Sequence, residues 1–167
     1  MQLLFKQAQP EELEIALSFL KLGAELLKTK NIDQWNMWLS PSADHIRWIK
    51  EGFENKEFYF VEHPDGQRLA MFRLSEEDLL YWGETQDKAN YIHSLVVDPK
   101  FSGKDLGKNI IVQIQEGLIR KGISLLRLDC KADNKWLCAY YEQQGFVKAG
   151  EKLMPHGLNN LYEKQLV

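Results

Sequence analysis

Several groups of residues in this chain have the types and spacing for chemistry. The stretch Tyr91–Lys108, YIHSLVVDPKFSGKDLGK, passes from apolar strand residues through Asp98-Pro99 and a glycine-containing loop into a helical pattern. A strand–loop–helix junction of this kind aims several backbone N–H groups at one point. Together with the helix dipole, they can hold a phosphate or pyrophosphate. Within its strand part lies His93, whose imidazole has an ordinary pKa of about 6.5 and so suits a base near neutrality. Asp78 and Glu84, in the polar segment before that strand, are carboxylates able to act through a water. Asn134 and Tyr141 are seven residues apart, two helical turns, so they share a face of a helix.

The elements that must position these groups follow from periodicity. Leu3 to Ala8 reads as a short strand, and Pro10-Glu11-Glu12 as a helix start, with proline in the first turn and acids at the positive dipole end. Leu13, Leu17, Leu20, Ala24 and Leu27 continue it at helical spacing. Asn31 to Pro41 is irregular, and a second helix starting near Ser42 carries Ile46, Ile49 and Phe53. Phe58 to Glu62 and Leu69 to Leu74 form a hairpin around the turn His63-Pro64-Asp65-Gly66. Ser75–Asn90 reads as a loop or an irregular extension of the hairpin.

Tyr91 to Val97 alternates Tyr91, His93, Leu95 and Val97 on one face with Ile92, Ser94 and Val96 on the other. Both faces are largely apolar, as in a buried central strand. Leu106, Ile110, Ile114 and Leu118 predict an amphipathic helix from about Asp105 to Lys121, ended by Gly122. Ser124 to Cys130 is the next strand, and the strand–helix–strand unit makes it parallel to Tyr91–Val97. A helix over Asn134 to Gln144, closed by Gly145, and strands over Phe146 to Ala149 and Leu161 to Leu166 complete the chain. The loop Gly150–Asn160 separates these last strands. The order β-α-α-β-β-β-α-β-α-β-β predicts an α/β sheet of mixed direction.

Composition narrows the function classes. A chain of 167 residues with 44% hydrophobic and 27% charged residues fits one domain over 1–167. A net charge of -3, with dispersed Lys and Arg, argues against a nucleic-acid surface. No apolar run approaches the roughly 20 residues of a membrane span, and MQLLFKQAQPEE lacks the apolar region of a secretory signal. The two cysteines, Cys130 and Cys138, have neither metal-ligand nor CxxC spacing, which predicts reduced thiols in a cytoplasmic protein and no metal.

Three pieces in order carry a resemblance to a known family: YIHSLVVDPKFSGKDLGKNI, LLRLDCKADN and YYEQQGF. With the element order, they resemble the GNAT superfamily of acyl-CoA-dependent N-acyltransferases over nearly the whole chain. The resemblance implies a mostly antiparallel seven-stranded sheet flanked by about four helices, with two central parallel strands splayed at a bulge. It also implies acetyl-CoA as cosubstrate. Leu95, Val96 and Val97 would face its pantetheine arm, and the Val97 N–H would be the oxyanion donor. The pyrophosphate would rest on Ser102, Gly103, Lys104, Asp105, Leu106, Gly107 and Lys108.

Two positions in that loop depart from the family pattern. Ser102 stands where Arg or Gln is usual, and Asp105 where Gly is usual. The Asp105 carboxylate would cap the helix but repel a pyrophosphate, with Lys100, Lys104 and Lys108 placed to offset it. Asn134 matches a residue touching the cofactor arm, and Tyr141 one near the CoA sulfur, where a phenol can protonate the departing thiolate.

His93 is the leading base among His93, Asp78 and Glu84. Trp35, Trp38 and Trp48 fall where the acceptor site would be, either as a cation–π wall or as core. The expected activity is acetyl transfer to a small-molecule amine by direct attack in a ternary complex. The alternatives are an acyl-CoA sensor of the same fold and, more distantly, a nucleotide-dependent enzyme. The loop lacks the endings of the nucleotide motifs. Pairing of two copies stays open.

Overall fold

The computed structural model describes residues 2–167. Among them are seven strands and four α-helices. In chain order these are β1 (Leu4–Gln7), α1 (Leu13–Thr29), α2 (Ala43–Glu54), β2 (Phe58–Glu62), β3 (Arg68–Ser75), β4 (Ala89–Val97), α3 (Leu106–Arg120), β5 (Leu125–Lys131), α4 (Lys135–Gln143), β6 (Val147–Met154) and β7 (Gly157–Gln165). The strand order is β1-β2-β3-β4-β5-β7-β6. Strands β4 and β5 run parallel; β1–β2, β2–β3, β5–β7 and β6–β7 are antiparallel. This is the mixed, mostly antiparallel sheet expected from the sequence.

By packing, the chain divides into two compact units, Met1–Leu74 with Ser94–Ile110, and Ser75–His93 with Ile111–Val167. In the first, the apolar stripe of α1 (Ala16, Phe19, Leu20, Ala24) joins Ile49 and Phe53 of α2 and Phe58, Phe60 and Met71 of β2 and β3 in one buried cluster. Each large side chain so removed from water stabilises the fold by roughly 1.5–3 kcal/mol before entropy is charged against it. Ser42 starts α2 as a cap, its side chain accepting from the His45 N–H. Trp38 belongs to this cluster, and Trp35 and Trp48 pack against it. The Arg73 guanidinium already sits 4.2 Å from the Trp48 ring centroid. Trp38 is thus core, while Trp35 and Trp48 are half-buried against it.

In the second unit, Ile111, Ile114 and Leu118 of α3 and Leu126 and Leu128 of β5 are buried. Two expectations need correction here. The expected loop Gly150–Asn160 is mostly strand, because β6 and β7 form a long hairpin that turns at Pro155 and His156. Nearly every side chain of β6 is exposed, so no apolar alternation marks it; its backbone ladder to β7 makes it a strand. Residues Pro10–Glu12 form a separate 3-10 turn, and α1 begins only at Leu13.

Candidate active site

The ladder between β4 and β5 covers three residue pairs, Ala89↔Leu125, Asn90↔Leu126 and Tyr91↔Arg127. It stops there, as the expected splay requires. Two residues further along each strand stand His93 and Asp129, on the face of Tyr91 and Arg127. His93 Nδ1 lies 3.9 Å from Asp129 Oδ1. On its other side His93 Nε2 lies 3.2 Å from Asp78 Oδ2. The next residue of β4, Ser94, has a φ of 53°. A left-handed residue inside a strand is how a bulge is made, and it resets the two-residue alternation. The single face expected for His93, Leu95 and Val97 therefore does not continue past Ser94.

Asp78 is carried by the irregular segment between β3 and β4. A tight turn shapes it, with the Tyr81 N–H donating to Asp78 Oδ1 and the Trp82 N–H to the Asp78 carbonyl. The segment is tied to the sheet by Arg127, which donates to Asp87 at 2.7 Å, to Glu163 at 2.6 Å and to the Tyr91 hydroxyl at 2.9 Å. The Arg127 guanidinium also lies 4.6 Å from the Trp82 ring centroid. Buried and matched on every side, it is an anchor. Arg127 also holds the Asp87 carboxyl below its ordinary value.

The electrostatics of the His93 cluster are different. Burial pushes the Asp129 carboxyl up to about 6; the charge of Asp78 adds to this and His93 opposes it. Burial also raises the Tyr81 phenol, with help from Asp129 and Asp78. Asp78, His93 and Asp129 each offer a ligand atom, all within 4.8 Å of one another. The two imidazole nitrogens, however, face separate carboxylates rather than one point. Glu84 is exposed and outside the cluster.

Tyr141 lies on α4 among Tyr140, Phe146 and Tyr162, with ring centroids 5.6, 5.8 and 6.4 Å away. Burial raises its phenol strongly, and the neighbouring Cys130, Tyr140, Asp129 and Cys138 add to the shift. It stays protonated across the working range, the form from which an acid must start. Tyr140 stacks on Trp136 at 5.3 Å, consistent with packing. Asn134 is the N-cap of α4, its Oδ1 accepting from the Leu137 N–H. Since the cap has non-helical dihedrals, the face it shares with Tyr141 holds only in part. Cys130 and Cys138 are free, buried thiols, their Sγ atoms 3.5 Å apart.

In the other unit, Leu95, Val96 and Val97 end β4, with the Val96 side chain in the core cluster. Ser102, Gly103, Lys104 and Asp105 are exposed, Leu106 is buried, Gly107 is half-buried and Lys108 is exposed. Gly103 and Asp105 both have positive φ, 79° and 54°. The second value explains why a glycine is usual at that position: the backbone there must be left-handed. Aspartate is among the few other residues that tolerate such a conformation. The Asn109 N–H bonds the Asp105 carbonyl, so Asp105 does flank the start of α3.

Sequence reasoning missed Asp129 and Tyr81. The signal for Asp129 was present: LLRLDC places Arg127 and Asp129 on one face of an otherwise apolar strand. Two charges on such a face must meet partners.

The comparisons with known proteins name the class. The chain belongs to the acetyltransferase (GNAT) family, whose profile matches residues 24–146, and it is an acyltransferase of that family. It is 28% identical to the uncharacterized N-acetyltransferase YesJ of Bacillus subtilis (strain 168), over 93% of this chain and 86% of that one. It is also 28% identical to the [Ribosomal protein bS18]-alanine N-acetyltransferase of Escherichia coli (strain K12), over 65% of this chain and 75% of that one. A GNAT acetyltransferase structure from Listeria monocytogenes 4b F2365 superposes with a TM-score of 0.81 at 27% identity, covering 98% of this chain and 95% of that one. Among the described residues, no helix is long and apolar enough to cross a membrane.

Proposed function

We propose that this protein transfers an acetyl group from acetyl-CoA to the amine of a small molecule, by direct attack in a ternary complex. The observation that carries the reading is the Asp78–His93 pair, 3.2 Å apart, with His93 on β4, the strand that in this family lies beside the thioester. An amine in water is mostly an ammonium ion and must lose a proton to attack. His93, with the Asp78 carboxylate beside its Nε2, is the base.

The Val97 N–H is the oxyanion donor, a contribution of roughly 3–4 kcal/mol to the transition state. Leu95 and Val96 extend that backbone along the pantetheine arm. Ser102, Gly103, Lys104, Asp105, Leu106, Gly107 and Lys108 hold the pyrophosphate through backbone N–H groups and lysine charge. Asn134 orders the start of α4 beside the cofactor arm, and Tyr141 gives its proton to the departing thiolate. The amine nitrogen bonds to the acetyl carbon, the C–S bond breaks, and one proton passes from nitrogen to sulfur. The free thiols of Cys130 and Cys138 support a reducing, cytoplasmic setting.

Thiol release from acetyl-CoA with primary alkylamines, amino acids and aminosugars, against a peptide beginning with alanine, tests the acceptor class. A small amine is the better substrate on this reading; preference for the peptide would move the acceptor to a protein. Binding of acetyl-CoA with no release from any of them would return the chain to a sensor. Tyr141→Phe lowers kcat about 100-fold or more with little change in acetyl-CoA affinity by calorimetry. Unchanged turnover across pH would remove the acid role.

A further inference from the structure

The two cysteines have no part in the reaction above, yet packing brings them into contact. Cys130 lies near the end of β5 and Cys138 in the first half of α4, their Sγ atoms 3.5 Å apart. Cys130 is 1% exposed and Cys138 7%. Two thiols that only fill core space need no contact with each other. The Cys138 thiol also donates to the Lys131 carbonyl at 3.7 Å and accepts from Asn160 Nδ2 at 3.5 Å. In the contact between the sulfurs, Cys130 is therefore the donor. Asn160 is itself buried, and its Oδ1 has no hydrogen-bond partner among the described residues. The amide gives its N–H to a sulfur and leaves its oxygen unpaired, a costly orientation for a side chain that serves packing alone.

Position gives the pair its consequence. On α4, Cys138 stands one turn before Tyr141 and on the same face. Its N–H closes the first turn of that helix onto the Asn134 carbonyl at 3.1 Å. Burial, and then the contact with Cys138, raises the Cys130 thiol, so it stays protonated. Cys138 is the more accessible sulfur, the one placed to meet an oxidant first. With so little of either sulfur exposed, that oxidant must be small.

We propose that Cys130 and Cys138 form a reversible oxidation site, closed to a disulfide by a hydroperoxide, which shifts the first turns of α4 and slows acetyl transfer. The effect on turnover rests on the reading of Tyr141 given above; the bond between the sulfurs does not. The Cys138 sulfur attacks one oxygen of hydrogen peroxide, the O–O bond breaks, and water leaves with the thiol proton, so that Cys138 carries a sulfenic acid. The Cys130 sulfur then attacks that sulfur. The S–S bond forms, the S–O bond breaks, and the hydroxyl leaves with the Cys130 proton as a second water. Two thiols lose two electrons and two protons, and the peroxide is reduced to two waters. No encounter is needed for the second step, because the resolving thiol is already in contact. Closure takes the sulfurs from 3.5 Å to about 2 Å apart. Strand β5 is paired to β7 from Leu125 to Lys131, so α4 is the element that gives. A displacement of about 1 Å in an element that positions a reacting group can lower a rate about 100-fold.

Tryptic mapping reads the bond directly, since Cys130 falls in the peptide Leu128–Lys131 and Cys138 in Trp136–Lys148. The wild type is treated with a small excess of hydrogen peroxide, and remaining thiols are alkylated in denaturant. The monomer then yields the two peptides joined, and dithiothreitol separates them. Alkylation of both cysteines, sulfinic acid at either, or joined peptides found only in dimers of the chain overturns the inference. Turnover is followed as acetylated product by mass, with the small amine that reacts fastest. The desalted oxidised enzyme has kcat lowered about tenfold or more, and dithiothreitol restores it. Cys130→Ala and Cys138→Ala, each compared with its own untreated rate, lose no activity to peroxide. A variant that loses as much as the wild type assigns the inactivation to another group and overturns the coupling, as does a joined pair with unchanged turnover. Absence of turnover with every amine in the reduced wild type would instead remove the proposed function, and the peptides alone would then decide the disulfide.

Discussion

Arg127 and Asp129 are two residues apart on β5 and point to the same side, Arg127 buried and Asp129 largely so, yet they are treated in opposite ways. Each meets a side chain of β4, Tyr91 for Arg127 and His93 for Asp129. Each also answers to an acid of the segment before β4, Asp87 in one case and Asp78 in the other. Around Arg127 the match is complete, with two carboxylates within 2.7 Å and an aromatic face above. Around Asp129 the printed match is weaker: the His93 imidazole lies 3.9 Å away, and the Asp78 charge works against the Asp129 carboxylate. A permanent charge tightly paired holds a structure together. A titratable charge loosely paired can change state, which catalysis of proton transfer needs.

Breaking the matched side has the largest effect. Arg127→Ala leaves Glu163 and Asp87 without their cation and frees the segment that presents Asp78. A loss of about 1–3 kcal/mol is expected, read from urea unfolding, from the lost charge-assisted hydrogen bonds and packing, with activity falling alongside. A loss under about 1 kcal/mol would place Arg127 among ordinary surface ion pairs and dissolve the contrast.

The loosely matched side responds with the other sign. Asp129 has its carboxyl raised from 3.8 to about 6. A raised acid contributes stability that is fully present below the unfolded value and lost as pH rises through the folded one. The protein therefore loses up to about 3 kcal/mol between pH 4 and pH 6 from this group, and the loss levels off above. Asp129→Asn does not undergo it. The variant is more stable than the wild type by up to about 3 kcal/mol at pH 8 and equal to it near pH 4, by denaturant midpoints at each pH. A variant less stable than the wild type at pH 8 would show that Asp129 is structural after all. More stability with less turnover is the mark of a residue kept for function.

The smallest effect sharpens the comparison outside both clusters. Asp105 also stands against its preference, at a φ of 54° in the exposed loop before α3. Asp105→Gly relieves a left-handed strain of about 1 kcal/mol, partly offset by the freer unfolded chain. Stability changes by less than about 1 kcal/mol, and CoA affinity by calorimetry rises a few-fold as a negative charge leaves the phosphate loop. Weaker CoA binding would mean that the carboxylate itself organises the loop.

Much of the fold was legible because its signals are local. The stripe Leu13, Leu17, Leu20, Ala24, the cap at Ser42 and the turn at His63–Gly66 each act over a few residues, and α1, α2 and the β2–β3 hairpin formed where they pointed. The β6–β7 hairpin was illegible for a physical reason: its edge strand buries little, so its sequence carries no alternation. The site divides in the same way. His93 and Tyr141 were readable as chemical types at known offsets. Asp129 showed only as a charge on an apolar strand; its neighbour His93, on a strand thirty-odd residues away in the chain and next door in the sheet, could not be read from it.

By itself, then, the amino-acid sequence determined which side chains can titrate, which faces are apolar, and where a strand–loop–helix junction lies between Tyr91 and Lys108. Those are properties of residue type and short-range spacing. Only the tertiary structure decided that Ser94 turns left-handed and breaks the face of β4, that the ladder to β5 ends at Tyr91↔Arg127, and that His93 sits between Asp78 and Asp129. A charge two residues along a strand becomes an anchor or a loosely paired acid according to what packing sets beside it. That choice lies in the burial and the distances, which no stretch of sequence contains.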